Sequence, residues 1–208
     1  MFKTATSFIL STAILLATVA ATFVFPVNAD GAENTSLVNG NFEDGTTGWN
    51  VTGTGATFKT VSGVQNENHK DVKITGKAGY FETKDINTWL YQGVKLSAGK
   101  YTWDFRIDLY GTHNMVGAYT SLDGIGKGSN LIVADEFKAT NDSGVVSSAF
   151  KKDTNDYRIS LDQGNSHYTV SYTFTLSETT DVYFAIRGNG GACQYIDNMS
   201  VLKAYGKE

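Results

Sequence analysis

The sequence has little cysteine, proline or charge. Its 208 residues include one Cys, Cys193, and one Pro, Pro26. A single cysteine cannot form an intramolecular disulfide, so no disulfide framework supports the fold. Charged residues make up 18%, and 17 Lys and Arg against 21 Asp and Glu give a formal net charge of -4. This slightly acidic balance offers no basic surface to a phosphate backbone, so the sequence predicts no nucleic-acid partner.

Residues 1–29 have the pattern of a secretory signal peptide. Lys3 is their single charged residue, and an apolar run over residues 8–27 leads into the small-residue sequence V-N-A. An uncleaved membrane anchor is the alternative, because the run is nearly long enough to span a bilayer. No second apolar stretch follows. We therefore expect a secreted, extracellular protein without membrane contact after cleavage.

After residue 37 the apolar side chains alternate with polar ones, which is the period of β-strands. The clearest strands are residues 89–96, 101–110, 168–176 and 182–187, each with aromatic or branched side chains on one face. The polar turn S-A-G-K separates the first two of these strands, and S-E-T-T-D separates the last two. This predicts two antiparallel hairpins. Weaker strands are predicted at 48–52, 57–61, 71–75, 79–82, 114–122, 156–161 and 195–203.

Many short strands joined by Gly, Asn and Asp turns favour an all-β fold. The simplest arrangement is an antiparallel β-sandwich of the jelly-roll type. We expect a single domain over residues 37–208, preceded by a mobile polar lead-in at 30–36. The segment 121–144 is rich in turn residues and is the expected long loop. Within it, L-I-V-A-D-E-F-K-A (residues 131–139) could form a short helix.

Three segments carry a recognisable order and spacing. They are LVNGNFEDGTTGWNVTG (37–53), LYQGVKLSAGKYTWDFRI (90–107) and YIDNMSVLK (195–203). Together they resemble the jelly-roll carbohydrate-binding modules that are appended to secreted bacterial cellulases and xylanases, within the galactose-binding-domain-like group. The resemblance spans about residues 37–203 but not the middle, 111–160. It implies non-catalytic carbohydrate binding and a structural role for Trp49.

The resemblance also implies a structural calcium ion that ties the first strand to the last. In that family the ligands include the acidic residue of an N-G-x-F-E run and the Asp of an I-D-N run. These correspond to Glu43 and Asp197 here. Calcium accepts a mixture of carboxylate and backbone carbonyl oxygens. The alternative is that both are turn and edge residues without an ion. The run D-T-N-D-Y-R is not an EF-hand loop, because Arg158 stands where that loop requires Gly.

The sequence predicts no enzyme. Asp104 and Asp108 share a strand face about 13 Å apart. A glycosidase places its two carboxyl groups roughly 5 to 9.5 Å apart. The histidines His69, His113 and His167 lack metal-ligand spacing and are expected to be exposed polar residues. There is no G-x-S-x-G motif, and the lone cysteine has no identifiable base.

A sugar polymer presents apolar ring faces edged with hydroxyl groups, so its receptor needs exposed aromatic rings beside hydrogen-bonding groups. Sugar would stack on Trp89 or Tyr110, with its hydroxyls held by arginine and aspartate. Each aromatic could instead pack under a loop, and each arginine could pair with an aspartate. The predicted site on a concave sheet face comprises the outward residues Trp89, Tyr91, Arg106, Asp108, Tyr110, Tyr183 and Arg187.

Two functions remain open from sequence. The first is a secreted, non-catalytic protein that binds a polysaccharide or oligosaccharide, such as a β-glucan or xylan. The second is a secreted structural or adhesive sandwich that binds protein partners or itself. A contiguous apolar patch or a long unprotected edge strand would indicate the second.

Overall fold

A computed structural model describes residues 32–34, 37–62, 76–110, 113–147, 150–160, 166–188 and 193–204. The predicted leader (1–29) and the predicted strand at 71–75 lie outside these residues. Within the described ranges the helical segments are two short 3-10 turns, Leu122–Gly124 and Gly128–Asn130. None of the described helical segments has the length and apolarity needed to cross a membrane.

The described strands, numbered β1 to β13 along the chain, form two antiparallel sheets packed as a jelly-roll β-sandwich, which confirms the predicted fold class. Sheet A has the order β3-β4-β13-β6-β11-β8, and β1 also pairs with β13. Its strands are β1 (Ala32–Asn34), β3 (Ala56–Ser62), β4 (Lys77–Thr83), β6 (Gly99–Tyr110), β8 (Glu136–Asn141), β11 (His167–Leu176) and β13 (Cys193–Ala204). Sheet B has the order β2-β5-β12-β7-β10-β9. Its strands are β2 (Asn50–Val51), β5 (Leu90–Leu96), β7 (His113–Tyr119), β9 (Phe150–Lys152), β10 (Tyr157–Ser160) and β12 (Thr180–Gly188).

The core lies between the two sheets and consists of the side chains that the alternation places on apolar faces. Trp103 of β6 is fully buried and meets Phe184 of β12 across the sandwich, with ring centroids 4.9 Å apart. Tyr172 of β11 packs against the same indole at 5.9 Å. Burying aromatic rings supplies a large share of the hydrophobic stabilisation in a domain of this size. Trp49 is also buried and packs on Phe42, as its predicted structural role requires.

Both predicted hairpins are wrong. β5 pairs with β2 and β12 in sheet B, whereas β6 pairs with β11 and β13 in sheet A. The S-A-G-K turn therefore carries the chain from one sheet to the other. The turn between β11 and β12 does the same. Two strands that each have one strongly apolar face bury those faces against each other when they lie in opposite sheets, and a short polar turn permits either arrangement.

The short helix considered for residues 131–139 is also absent from the described structure. Leu131 forms an isolated bridge with Tyr119, and β8 starts at Glu136. Phe137 of β8 packs against Tyr157 and Tyr172 with ring centroids 4.2 and 5.5 Å away. Tertiary contact with these two rings fixes an extended backbone where local sequence would allow a helix.

Candidate functional site

The structure divides the predicted ligand residues between the outer faces of the two sheets. Because core residues alternate with them along β5 and β12, Tyr91, Tyr183 and Arg187 face outward from sheet B. Trp89 immediately precedes β5 on the same side. The other predicted residues are on β6 of sheet A: Arg106, Asp108 and Tyr110, whose side chain lies outside the described part of the structure.

A groove of about 460 Å³ opens on the sheet B side. This volume lies in the range of small-molecule binding sites. Three of the predicted residues line the groove, and the rest of its wall comes from loops that sequence analysis did not assign to a site. The lining residues are Thr52, Asn87, Trp89, Tyr91, Leu122, Asp123, Ile125, Gly126, Lys127 and Arg187.

Trp89 lies in the wall of the groove but is largely covered by neighbouring groups, with 4% of its surface exposed. Tyr119 meets its ring edge-on at a centroid distance of 5.7 Å, and the guanidinium of Arg187 lies 4.8 Å from the ring centroid. Gly126 has a φ of +76°, and a Cβ there would stand 3.2 Å from the indole ring. The loop backbone thus approaches the indole closely at a position that favours glycine. The stacking of sugar on Trp89 stays a prediction, and the ring has little free surface for it.

Two half-buried tyrosines offer more accessible aromatic surface. Tyr91 and Tyr183, here called the tyrosine pair, have ring centroids 6.4 Å apart on the outer face of sheet B. Gly93 is the cross-strand partner of Tyr183. A Cβ at Gly93 would stand 2.9 Å from Cε1 of that ring. The missing side chain therefore lets the Tyr183 ring rest against the β5 backbone.

Arg187 is held in a fixed position at the groove. Its Nη1 donates to the carbonyl of Ile86 at 2.5 Å, and its Nη2 donates to Oδ2 of Asp156 at 3.3 Å and contacts the sulfur of Met115. Asp156 is buried at 3% exposure, and burial raises the pKa of this carboxyl above its ordinary value even though the charge of Arg187 lowers it. These contacts and the indole below pre-orient the guanidinium before any ligand arrives.

On sheet A the predicted residues bind one another. Nε of Arg106 donates to Oδ1 of Asp108 at 3.2 Å, and its Nη1 donates to Asp142 at 2.5 Å. Asp108 is 2% exposed, and Nδ1 of His167 lies 3.1 Å from its Oδ1 without hydrogen-bond alignment. Arg106 therefore pairs with aspartates, which is the alternative to sugar binding that the sequence left open. His167 is half-buried, so the expectation that it is exposed is wrong.

The predicted calcium residues lie near each other at the junction of the first described loop and β13. Asp197 is 4% exposed; burial raises its pKa to about 6, the backbone hydrogen bond from Asn198 lowers it, and the charge of Glu43 raises it. The N–H of Met199 donates to the carbonyl of Gly40 at 2.9 Å, which ties the two segments together. No group of three or more His, Cys, Asp or Glu suited to a metal occurs within the described residues. A cation here would also need carbonyl or water ligands.

No known family model and no curated protein sequence matches this chain. Its fold is similar to that of the CBM22-1–CBM22-2 tandem domain of Paenibacillus barcinonensis Xyn10C, with a TM-score of 0.50, 11% identity and coverage of 87% of this chain and 48% of the tandem. TmCBM61 in complex with β-1,4-galactotriose matches at a TM-score of 0.44 and 16% identity over 82% of this chain and 98% of that one. The enzymatically active domain of bacteriophage CBA120 tailspike protein 4 matches with a TM-score of 0.45 and 11% identity. The match covers 80% of this chain and 21% of that one. At 11% identity, the likeness to the tandem domain shows a similar jelly-roll fold.

Proposed function

We propose that this protein is a secreted, non-catalytic carbohydrate-binding protein that holds a polysaccharide or oligosaccharide in the sheet B groove. The observation that carries the proposal is the placement of Tyr91 beside the pre-oriented guanidinium of Arg187 in one groove. The jelly-roll fold shared with the carbohydrate-binding tandem supports it. The leader pattern in residues 1–29 supports export.

The groove supplies the two kinds of contact that a sugar needs. Tyr91 in the groove, with Tyr183 beside it on the outer face of sheet B, offers ring surface for the apolar face of a pyranose and hydroxyl tips for its edges. Asn87 and Thr52 add side chains that both donate and accept hydrogen bonds, and Asp123 accepts them. Arg187 donates in a fixed plane to adjacent sugar hydroxyls. The exposed Lys127 sits on the loop wall, where its long side chain can adjust to the ligand.

The groove lining favours binding over hydrolysis. Asp123 is the single carboxylate among the described residues that line it, whereas the usual glycosidase mechanisms require two. Cys193 is buried in sheet A, where burial raises the pKa of its thiol to about 11. A reactive cysteine shows the opposite shift. We therefore propose that the bound glycan leaves the protein unchanged.

Binding to a glycan array and retention on insoluble polysaccharides test this function. Tyr91→Ala and Tyr183→Ala are each expected to weaken binding of the glycan that the wild type selects by about tenfold, since each removes one stacking surface. Tyr80→Ala is the matched control, because that half-buried tyrosine belongs to the outer face of sheet A. A wild type that binds no glycan would overturn the carbohydrate assignment and favour the protein-binding alternative. Equal loss in all three variants would exclude the sheet B groove as the site.

We also propose that calcium binds at Glu43 and Asp197 as a structural ion. The residues fit a cation, since neither carboxylate forms an ion pair within the described structure and the charge of one raises the pKa of the other. Glu43 also accepts a hydrogen bond from the N–H of Lys77 at 3.0 Å, which fixes its carboxylate. A divalent cation between these groups would offset the repulsion and link the start of the domain to its last strand.

Thermal melting with and without calcium tests this site. Calcium is expected to raise the melting temperature by several degrees and a chelator to reverse the change, because ion binding stabilises only the folded state. The raised pKa of Asp197 means that the folded protein favours its proton below about pH 6. Calcium requires the ionised carboxylate, so its effect should grow from pH 5 to pH 7.5. Asp197→Asn should abolish the effect, whereas Asp181→Asn on an exposed strand position should not. An unchanged melting curve at both pH values would contradict the proposal.

A further inference from the structure

We propose that Asp156 is a positioning residue of the groove, which holds Arg187 against Trp89 and makes glycan binding depend on pH. This inference rests on the proposed function, because it assigns a regulation to the same groove. Asp156 is not among the groove-lining residues. It therefore acts on a ligand through the arginine and not by contact.

Asp156 is buried, and its ion-pair partner Arg187 lies between it and the groove. It lies immediately before β10, next to the central strands of sheet B, and is 3% exposed. Its Oδ2 is 3.3 Å from Nη2 of Arg187, whose guanidinium carbon is 4.8 Å from the centroid of Trp89. Nε of Arg187 is buried without a hydrogen-bond partner. The Asp156 carboxylate is thus the single anionic group among the described contacts of this cation.

Charged and titratable groups face Asp156 from each neighbouring element. Arg187 approaches from β12 and Arg158 from β10, and both lower its pKa. Asp153, in the turn before β10, raises it, but this carboxylate is bound to Arg158 at 2.5 Å. Tyr119 of β7 stands close enough for the charge of Asp156 to raise the pKa of the phenol. Burial is the largest influence and raises the pKa of Asp156, so this carboxyl takes up a proton at higher pH than an exposed aspartate.

Protonation changes what Arg187 can do. Above the pKa of Asp156, the carboxylate and the indole together fix the guanidinium plane towards the groove. Below it, the carboxyl is neutral, and a partly buried cation loses its counter-charge. Arg187 can then turn towards solvent, and ordering it again for a ligand costs affinity. Glycan binding should therefore be strongest near neutral pH and fall as the pH drops through the Asp156 transition.

The test uses the full secreted chain and the glycan that the wild type selects on an array. Asp156→Asn keeps the size of the side chain and removes its charge. It should weaken binding about tenfold at pH 7, and its affinity should change less on acidification than that of the wild type. Asp181→Asn, an exposed carboxylate on the same strand as Arg187, should retain the wild-type affinity and pH profile. Equal affinity and equal pH profiles for Asp156→Asn and wild type would overturn the inference while leaving the proposed function intact.

A second readout does not need a glycan. Because Arg187 contacts the Trp89 ring, tryptophan fluorescence of the wild type should show a pH step that both Asp156→Asn and Arg187→Gln lack. If no glycan binds the wild type, the proposed function fails, yet this step still decides whether Asp156 positions Arg187. If Asp156→Asn does not fold, Arg187→Gln alone must remove the step. A step that persists in Arg187→Gln would overturn the inference.

Discussion

Gly93→Val is expected to weaken glycan binding at least tenfold while leaving the protein as stable as the wild type or more so. The new Cβ would stand 2.9 Å from the Tyr183 ring, closer than such atoms approach. The ring is the end of a flexible side chain, so it can rotate away at little cost to the fold. Valine also suits an exposed strand position better than glycine, by up to about 1 kcal/mol. Binding and stability should therefore move in opposite directions.

Isothermal titration with the selected glycan and thermal melting measure the two effects of Gly93→Val. The expected loss of affinity is at least that of Tyr183→Ala, about tenfold, because the displaced ring can also obstruct Tyr91. Lys95→Val is the matched control, since it places the same side chain two residues along the same face of β5. Binding that survives in Gly93→Val but not in Tyr183→Ala would show that the tyrosine acts without resting on the strand.

The sequence predicted the core well because its signal is local. Alternation along β6 and β11 places side chains such as Trp103 and Tyr172 on one face, and both are fully buried. The choice of partner strands is not local. The S-A-G-K turn could join neighbours in one sheet or cross the sandwich, and the crossing places Tyr91 of β5 and Arg106 of β6 on opposite faces of the molecule.

The groove was therefore predicted in part. Tyr91 and Arg187 were predicted because outward aromatic and planar cationic side chains suit a sugar, and both line the groove. The loop wall at 122–127 has no periodicity that could place it over Trp89. Gly93 and Gly126 did offer a signal, because a glycine within a strand or a turn-rich loop often marks the close approach of another group. The sequence does not show which ring approaches each glycine, because Tyr183 and Trp89 reach Gly93 and Gly126 through tertiary contacts.

Trp89→Ala is expected to cause the largest loss of stability among these substitutions. Trp89 belongs to the buried core cluster at 4% exposure, and truncation of a buried tryptophan costs about 3–5 kcal/mol. The same change removes the surface against which Gly126 and Arg187 pack, so the loop wall and the guanidinium lose their support together. Binding should therefore disappear through loss of the groove and not through loss of a stacking contact.

Urea unfolding and glycan binding of Trp89→Ala and Trp89→Phe separate these two roles. Phenylalanine retains an aromatic face for Arg187 and most of the buried volume, so it should keep a large part of both stability and affinity. A tryptophan that served mainly as an exposed stacking platform would behave differently. Its truncation would weaken binding with little change in the unfolding midpoint, because exposed rings contribute little to the folded state. A midpoint unchanged in Trp89→Ala would thus restore Trp89 as the sugar platform and remove its supporting role for Arg187.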